Sequence, residues 1–338
     1  MVAMVRLAAV LALVLFAAGC AAVRTVTVPP EEAPGELPGF VAHFAERTRA
    51  VTTTVTGGAG APATAGDAAA NPDPAANPVR LVAEHGSLAS AWGCTIGYEY
   101  YVRESGPVAS EYALAAPLVV LGHGFMRDLA TVRGWAVEWA ARGVRTVVVD
   151  FCNSTIFNGR HDRNAHDMIA VANHIEPGDA PLIYAGFSAG GLSALLAAAE
   201  DPRTVAYLGL DPVDSGELSK SAGRLNAAAL YLYGEPARCN AQNNMIDLMP
   251  RANRLVAMSI PFATHCDFED PSDAFCARLC GTVEPEEKAQ EIRRTVRALA
   301  NAWIEAYAGV SPESQFVFHM PTLETLVRAR RVVIVASE

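Results

Sequence analysis

Beginning near residue 84, short apolar runs rich in β-branched residues alternate with segments in which apolar residues recur every three or four positions. The apolar runs predict strands at residues 95–102, 117–121, 145–150, 181–185, 205–210, 228–233 and 255–260. The periodic segments predict helices at residues 129–142, 162–175, 191–200 and 287–306. Strands that alternate with helices form a mostly parallel central sheet with helices on both faces. The sequence therefore predicts an α/β fold over residues 84–310.

The segments on either side of this region have a different pattern. Residues 21–83 are rich in Ala, Pro, Gly and Thr and predict a flexible linker. A random coil of about 60 residues has a root-mean-square span of about 45 Å, which would be the reach of the folded domain from any N-terminal anchor. Residues 311–338 are a C-terminal extension without an assigned role, in which residues 331–336 predict one more strand.

The N-terminus predicts an export signal over residues 1–20. Arg6 precedes an apolar run at residues 7–19, which is too short for a membrane span. The run ends in FAAGC (residues 16–20), which resembles a bacterial lipobox with Ala17 at the usual leucine position. That resemblance implies a lipid on Cys20 and attachment to the membrane of the bacterial envelope. The alternative is ordinary cleavage near Cys20 followed by secretion.

Export changes the interpretation of the other cysteines. Six remain when Cys20 is set aside: Cys94, Cys152, Cys239, Cys266, Cys276 and Cys280. An even number in an oxidising compartment predicts up to three disulfides, and the spacing alone does not choose the pairs. Cys276 and Cys280 have no matching second ligand pair, so no metal site is predicted.

Composition and charge limit the partners. The chain has 338 residues, of which 51% are hydrophobic, and this is enough for a sizeable core. Its formal net charge of −10 argues against a nucleic-acid partner. A membrane contact would therefore come from the lipid anchor.

The candidate nucleophile lies between a predicted strand and a predicted helix. Residues 186–190 read GFSAG, a G-x-S-x-G pattern centred on Ser188. Gly186 and Gly190 flank the serine, since a side chain at either position would crowd a tight turn. A strand, this turn and a helix together are typical of the nucleophile turn of an α/β-hydrolase. We therefore predict that Ser188 is a catalytic nucleophile.

The order of triad residues in that fold selects the general base. The chain order is serine, then an acid, then histidine. Of eight histidines, His265 and His319 are the two that follow Ser188. His319 lies in the C-terminal extension, whereas His265 follows an apolar strand at the expected edge of the sheet. His265 is the predicted base.

The acid remains open on spacing alone. A triad acid must hold the histidine tautomer and stabilise the imidazolium. Asp211 ends one predicted strand, Asp214 lies three residues beyond it, and Glu235 follows the next strand. Asp211 and Glu235 are the two serious candidates.

An oxyanion hole requires two backbone N–H groups that point at the developing charge. Ala189, directly after the serine, is predicted to provide one of them. The loop after the strand at residues 117–121 is predicted to provide the other, from Phe125 or, alternatively, Met126. His123 in that loop precedes Ser188 and is predicted to be structural.

Several motifs resemble the chlorophyllase-like branch of the α/β-hydrolases and the related bacterial cutinase-like polyester hydrolases. They are GHGF at residues 122–125, the Ser188 turn, DPVD at residues 211–214, and CN at residues 239–240. The resemblance implies an α/β-hydrolase fold and assigns Asp211 as the acid, with Glu235 as the alternative. Phe187 stands where that branch usually has a histidine, so chlorophyll is not carried over as the substrate.

Together these features predict a serine carboxylic-ester hydrolase that works through an acyl-enzyme on a small-molecule or polymeric ester. No cofactor or metal is predicted. Two alternatives remain: an envelope lipoprotein that keeps the fold as a non-catalytic binding module, and an amidase or peptidase on the same fold.

Overall fold

Ten strands form one mixed sheet in the computed structural model, which describes residues 22–28, 79–104, 116–155, 158–281 and 285–337. The predicted export signal, Cys20 and most of the predicted linker lie outside these residues. No helix within these ranges combines the length and apolarity that a membrane-spanning segment needs.

The strands of the main sheet share short apolar sequences. They are β1 (Ala22–Val28), β2 (Val79–Ala89), β3 (Thr95–Arg103), β4 (Leu118–Gly122), β5 (Thr146–Asp150), β8 (Leu182–Phe187), β9 (Thr204–Leu210), β10 (Arg224–Tyr233), β11 (Arg251–Ser259) and β12 (Val333–Ser337). The two-residue strands β6 (Ser154–Thr155) and β7 (Asn158–Gly159) form a separate hairpin. Central strands such as β4 and β8 are buried along their whole length, because helices cover both faces of the sheet.

The order of strands across the sheet is β1-β2-β3-β5-β4-β8-β9-β10-β11-β12. From β5 to β11 every neighbouring pair is parallel, whereas β1, β2, β3 and β12 pair antiparallel at the two edges. The carboxyl ends of the parallel strands therefore lie along one edge, where ligands bind in open α/β sheets.

Helices cover both faces. Within the described residues they are α1 (Arg133–Ala141), α2 (His161–Ile175), α3 (Ala189–Glu200), α4 (Ala274–Cys280), α5 (Glu286–Ala308) and α6 (Met320–Arg328). Tryptophans of α1 and α5, including Trp135 and Trp303, pack in the core on one face of the sheet. Apolar side chains of α2 and α3, including Met168 and Leu195, pack on the other face. This arrangement confirms the predicted α/β-hydrolase fold class.

The structure differs from the sequence prediction at both ends of the domain. β1 lies within the segment predicted as linker, and β2, a strand that the sequence did not predict, begins at Val79, before the predicted start of the domain at residue 84. β1 contains alternating Val and Thr and pairs with β2 through all seven residues, a long-range pairing that composition alone does not reveal. The C-terminal extension also belongs to the domain: Phe318 and Leu323 are buried in the core, and β12 pairs with β11.

The six cysteines predicted to form disulfides do so in three pairs. The pairs are Cys94–Cys152, Cys239–Cys280 and Cys266–Cys276. Cys276 and Cys280, the pair considered as metal ligands, thus belong to two different disulfides. The sulfur atoms of Cys266, Cys276 and Cys280 lie within 4.8 Å of one another, so two of the disulfides are neighbours.

Candidate active site

Ser188 lies at the tight turn between β8 and α3. Its backbone has φ 56° and ψ −127°, a conformation that non-glycine residues rarely adopt. A Cβ atom on Gly186 would lie 2.2 Å from the carbonyl oxygen of Gly190, and one on Gly190 would lie 2.2 Å from that of His123. Both positions therefore require glycine, as the sequence pattern predicts, and the turn holds Ser188 at the carboxyl edge of the sheet.

Three predicted residues from three loops meet in one hydrogen-bonded chain. His265 Nε2 is 2.9 Å from Ser188 Oγ, and His265 Nδ1 is 2.6 Å from Asp211 Oδ2. An ionised carboxylate only accepts hydrogen bonds, so His265 Nδ1 carries the proton and Nε2 is free to accept from the serine hydroxyl. Asp211 is fully buried, and Ser188 and His265 are more than nine-tenths buried. The arrangement can take a proton from the hydroxyl of Ser188.

Two groups besides His265 hold the Asp211 carboxylate in place. Gly234 donates its N–H to Oδ1 at 2.9 Å, and the fully buried Asn240 donates its side-chain amide to Oδ2 at 3.2 Å. Asn240 also donates to the carbonyl oxygen of Glu235. Sequence reasoning assigned no role to Asn240, and the signal available for it was its place in the CN motif at residues 239–240.

Glu235, the alternative acid, lies outside this chain of hydrogen bonds. Glu235 is exposed, and its Oε1 accepts the backbone N–H of Phe262 at 3.0 Å. The backbone N–H of Glu235 donates to Ala263. Glu235 therefore shapes the turn that leads to the histidine loop, while Asp211 contacts the histidine.

The predicted oxyanion amides differ in their availability. Among the described residues, neither the N–H of Phe125 nor that of Ala189 has a hydrogen-bond acceptor. The N–H of Met126, the alternative, donates to the carbonyl oxygen of Ser154 at 3.0 Å and is occupied. Ala189 is also the first residue of α3, and a helix N-terminus favours negative charge. Of the three predicted amides, those of Phe125 and Ala189 are therefore the two without an acceptor among the described residues.

His123 has a structural environment, as predicted. It is fully buried, and its Nε2 accepts the backbone N–H of Phe151 at 2.9 Å. Its Nδ1 therefore carries the proton and donates to the carbonyl oxygen of Gly124 at 2.8 Å. These two bonds fix the loop at residues 123–127 beside the serine turn.

Contacts from distant elements hold the loop that carries His265. The ring of Phe187 packs against the imidazole of His265 at a centroid distance of 4.6 Å. Trp135 of α1 donates its indole N–H to the carbonyl oxygen of Phe268 at 3.0 Å. Thr264 and Asp267 form a reciprocal capping box around the short 3₁₀ turn that contains His265.

A buried ion pair joins this loop to the loop of Phe125. Arg127 donates Nε to Glu269 Oε1 at 2.6 Å and Nη2 to Glu269 Oε2 at 3.0 Å, and Nη2 also contacts Asp273 at 2.9 Å. Burial raises the pKa of Glu269, and the Arg127 charge opposes that rise. Because the Arg127 charge has two carboxylate partners, it is not free to bind an anionic substrate. Sequence reasoning missed this pair, which joins residues 142 positions apart.

A cleft of about 460 Å³ opens over Ser188. Its lining includes the exposed apolar side chains of Phe125, Met126, Phe275 and Leu279. His161 and Asp214 also line it. A cleft with apolar walls and few polar groups suits an organic substrate better than a highly charged one.

Comparisons with known proteins add little to this geometry. No protein-family model matches the chain, and no curated protein matches it. Among solved structures, the chain is similar to a ferulic acid esterase from Streptomyces cinnamoneus, with 16% sequence identity and a TM-score of 0.47. The similar region covers 67% of this chain and 88% of that esterase. A likeness at this level transfers neither substrate nor activity to this chain.

Proposed function

We propose that this protein is a serine carboxylic-ester hydrolase that works through an acyl-enzyme. One observation carries the proposal: a continuous hydrogen-bonded chain runs from Ser188 through His265 to Asp211 and opens onto an apolar cleft. Serine, histidine and a buried carboxylate in this geometry are the groups that nucleophilic acyl transfer requires.

In the acylation step, Ser188 Oγ attacks the ester carbonyl carbon while His265 Nε2 accepts the serine proton. Asp211 stabilises the imidazolium that forms. The carbonyl oxygen becomes an oxyanion and accepts the N–H groups of Phe125 and Ala189. The tetrahedral intermediate collapses when His265 donates its proton to the leaving alkoxide, which departs as the alcohol.

In the deacylation step, His265 accepts a proton from water, and the hydroxide attacks the acyl carbon of the ester on Ser188. His265 then returns the proton to Ser188 Oγ, and the carboxylic acid leaves. Every proton in this cycle moves between groups of the chain, the substrate and water. The proposed reaction therefore uses no cofactor or metal.

The test compares hydrolysis of short-chain p-nitrophenyl esters by wild type, Ser188→Ala and Ser221→Ala. Ser221 is an exposed serine that donates to the carbonyl of Leu218, so it serves as a matched control. We expect Ser188→Ala to lose at least about 10³-fold in kcat, whereas Ser221→Ala keeps wild-type activity. Equal activity of wild type and Ser188→Ala would overturn the assignment.

The acid is tested in the same assay. Asp211→Asn should lower kcat by at least about 10²-fold, because an amide no longer holds the productive tautomer of His265. Glu235→Gln should have a much smaller effect, because Glu235 contacts the Phe262 amide rather than the histidine. The reverse ranking would make Glu235 the acid.

Two experiments separate this proposal from its alternatives. A fluorophosphonate probe should label wild type at Ser188, and an unlabelled serine would favour a non-catalytic binding module. Matched ester and amide substrates should be turned over with the ester faster, and preferential cleavage of the amide would favour an amidase or peptidase.

The proposed substrate is a small-molecule or polymeric ester. The resemblance of the sequence motifs to the chlorophyllase-like and cutinase-like branch implies this substrate class. Support comes from the exposed apolar side chains at the cleft, such as Met126 and Leu279, which are 44% and 61% exposed. Comparing soluble esters of increasing chain length with an insoluble polyester would test this. A preference for small, charged esters would contradict it.

We also propose that the chain is a lipid-anchored envelope protein modified at Cys20. Because β1 begins at Ala22, a single residue separates Cys20 from the sheet, in place of a tether of about 60 residues. The lipid would then hold the domain next to the membrane. Cys20→Ser should move the protein from the membrane fraction to the soluble fraction, and unchanged fractionation would contradict the anchor.

A further inference from the structure

A buried histidine that the proposed reaction does not use lies on the wall of the cleft. His161 is the first residue of α2, and 5% of its surface is exposed. Its ring packs edge-on against Phe125 at a centroid distance of 5.9 Å. Neither ring nitrogen has a hydrogen-bond partner among the described residues. Neither nitrogen is one of the solvent-inaccessible, unpartnered polar atoms of those residues. The imidazole therefore opens onto the cleft with its polar groups unsatisfied.

A buried carboxylate also lines the cleft. Asp214 is also 5% exposed, and its Oδ1 accepts the backbone N–H of Ser219 at 2.8 Å. Within the described part of the chain, Oδ2 has no partner. Burial holds the pKa of His161 below its ordinary value, and the charges of Asp162 and Asp214 oppose that fall. His161 is therefore a neutral imidazole at neutral pH, with one donor and one acceptor nitrogen.

A neutral donor and a carboxylate acceptor on the wall of one cleft suit one kind of ligand group. A hydroxyl can accept from the imidazole N–H and donate to the carboxylate at the same time. A cation would have to give up its hydration in a cleft whose other walls are largely apolar. A purely apolar group would leave both buried polar groups without partners.

We propose that His161 and Asp214 form a hydroxyl-binding subsite of this cleft, so that the preferred esters carry a hydroxyl group on the part that reaches it. The inference rests on the proposed ester hydrolysis. His161 donates to the hydroxyl oxygen and Asp214 accepts the hydroxyl proton. This subsite orients the substrate over Ser188 and is separate from the proton transfers of His265.

The test uses ester pairs in which a methyl group replaces the hydroxyl. Propyl butyrate and 2-hydroxyethyl butyrate differ on the alcohol side. Ethyl 3-methylbutanoate and ethyl 3-hydroxybutanoate differ near the carbonyl on the acyl side, and ethyl heptanoate and ethyl 6-hydroxyhexanoate differ at the end of a longer acyl chain. Acid release in a pH-stat gives kcat and KM for each member, and the readout is the ratio of kcat/KM within a pair.

Wild type should favour the hydroxylated member of at least one pair by about tenfold or more, since a site that binds a hydroxyl rejects the analogue lacking it. His161→Leu and Asp214→Asn should bring that ratio to about one, mainly by raising KM for the hydroxylated ester. His166→Leu is the matched control, because His166 lies on the same helix, is half exposed and faces Glu200. His166→Leu should keep the wild-type ratio. If the role of His161 were only structural, His161→Leu would keep that ratio as well.

The inference is overturned if wild type shows no preference in any pair, or if the preference survives in His161→Leu. It is also overturned if butyrylcholine is a better substrate than 2-hydroxyethyl butyrate, which would indicate a cation site. A variant that fails to fold does not remove the test, because a wild type without preference in any pair overturns the inference by itself and the other variant still reports on the subsite. If wild type hydrolyses no ester, the proposed function fails and this inference fails with it, a result distinct from hydrolysis without hydroxyl preference.

Discussion

Two loops bring Ser188 and His265 together, and they are held in different ways. The serine turn, residues 186–190, is fixed by close backbone contacts, within the turn at Gly186 and with the carbonyl of His123 at Gly190, that leave no room for a side chain. The histidine loop, residues 264–280, is fixed by side chains of other segments, an ion pair to Arg127 and an indole from Trp135, and by its own disulfide between Cys266 and Cys276.

The difference teaches how far a local pattern can specify a site. A turn held by backbone sterics leaves its requirement in the adjacent residues, so the G-x-S-x-G pattern identifies it. A loop held by distant partners leaves no such local pattern, since Arg127 and Glu269 are far apart in sequence. The serine turn should therefore tolerate almost no local change, whereas the histidine loop should lose order step by step as its contacts are removed.

The largest effect is expected at the serine turn. In Gly190→Ala, the new Cβ would lie 2.2 Å from the carbonyl oxygen of His123, so the turn and the loop before it must separate. We expect a loss of about 3 kcal/mol in the free energy of unfolding and about 100-fold or more in kcat/KM. Denaturant unfolding and ester hydrolysis measure the two effects.

Gly178→Ala is the control for this change. A Cβ at Gly178 would meet its nearest neighbour, Glu176 Oε1, at an ordinary distance of 3.7 Å. This variant should keep wild-type stability and activity. If Gly190→Ala behaves in the same way, the backbone account of the turn is incorrect.

An intermediate effect is expected for the ion pair between the two loops. Arg127→Met leaves the carboxylate of Glu269 buried without its charge partner, which should cost about 3 kcal/mol and roughly tenfold in kcat. The double variant Arg127→Met/Glu269→Met should regain much of the stability, because no unpaired charge stays buried. Chemical denaturation and kcat measurements on both variants check this.

Arg160→Met removes an exposed arginine that pairs with Asp162, so it controls for loss of a surface charge and should leave the unfolding midpoint unchanged. Full activity in Arg127→Met would mean that the histidine loop does not need the ion pair.

The smallest effect on activity is expected from removing the disulfides. Comparing two of them distinguishes an effect on stability from an effect on catalysis. Replacing Cys266 and Cys276 by Ser removes a disulfide that joins residues 10 positions apart. This should lower the free energy of unfolding by about 3 kcal/mol and kcat by several-fold. Replacing Cys94 and Cys152 by Ser removes a disulfide that joins residues 58 positions apart. Because the closed loop is longer, the free energy of unfolding should fall by more, about 4 kcal/mol, while kcat stays within about twofold of wild type.

Thermal unfolding and steady-state kinetics of the two double variants measure these quantities. The bond at Cys266 adjoins His265, whereas Cys94 and Cys152 do not line the cleft. An equal loss of kcat in both variants would show that the disulfides act on activity only through global stability.

Much of this protein is determined by sequence patterns that act over short distances. The apolar runs specify the central strands, because a strand buried on both faces has to be apolar throughout. The glycines at residues 186 and 190 specify the serine turn, because backbone contacts exclude any side chain there. The chain order of the fold reduced eight histidines to His265 and His319, and the position of His265 directly after an apolar strand selected it.

The tertiary structure decided what depends on distant partners. Spacing left Asp211 and Glu235 equivalent, and the folded chain brings Asp211 against His265, whereas Glu235 accepts the backbone N–H of Phe262. The cysteine pairs and the pairing of β1 with β2 are likewise contacts between segments far apart in sequence, and the fold also brings His161 and Asp214 to the wall of one cleft. A sequence pattern reflects the local requirements of each segment, whereas these contacts depend on which segments the fold brings together.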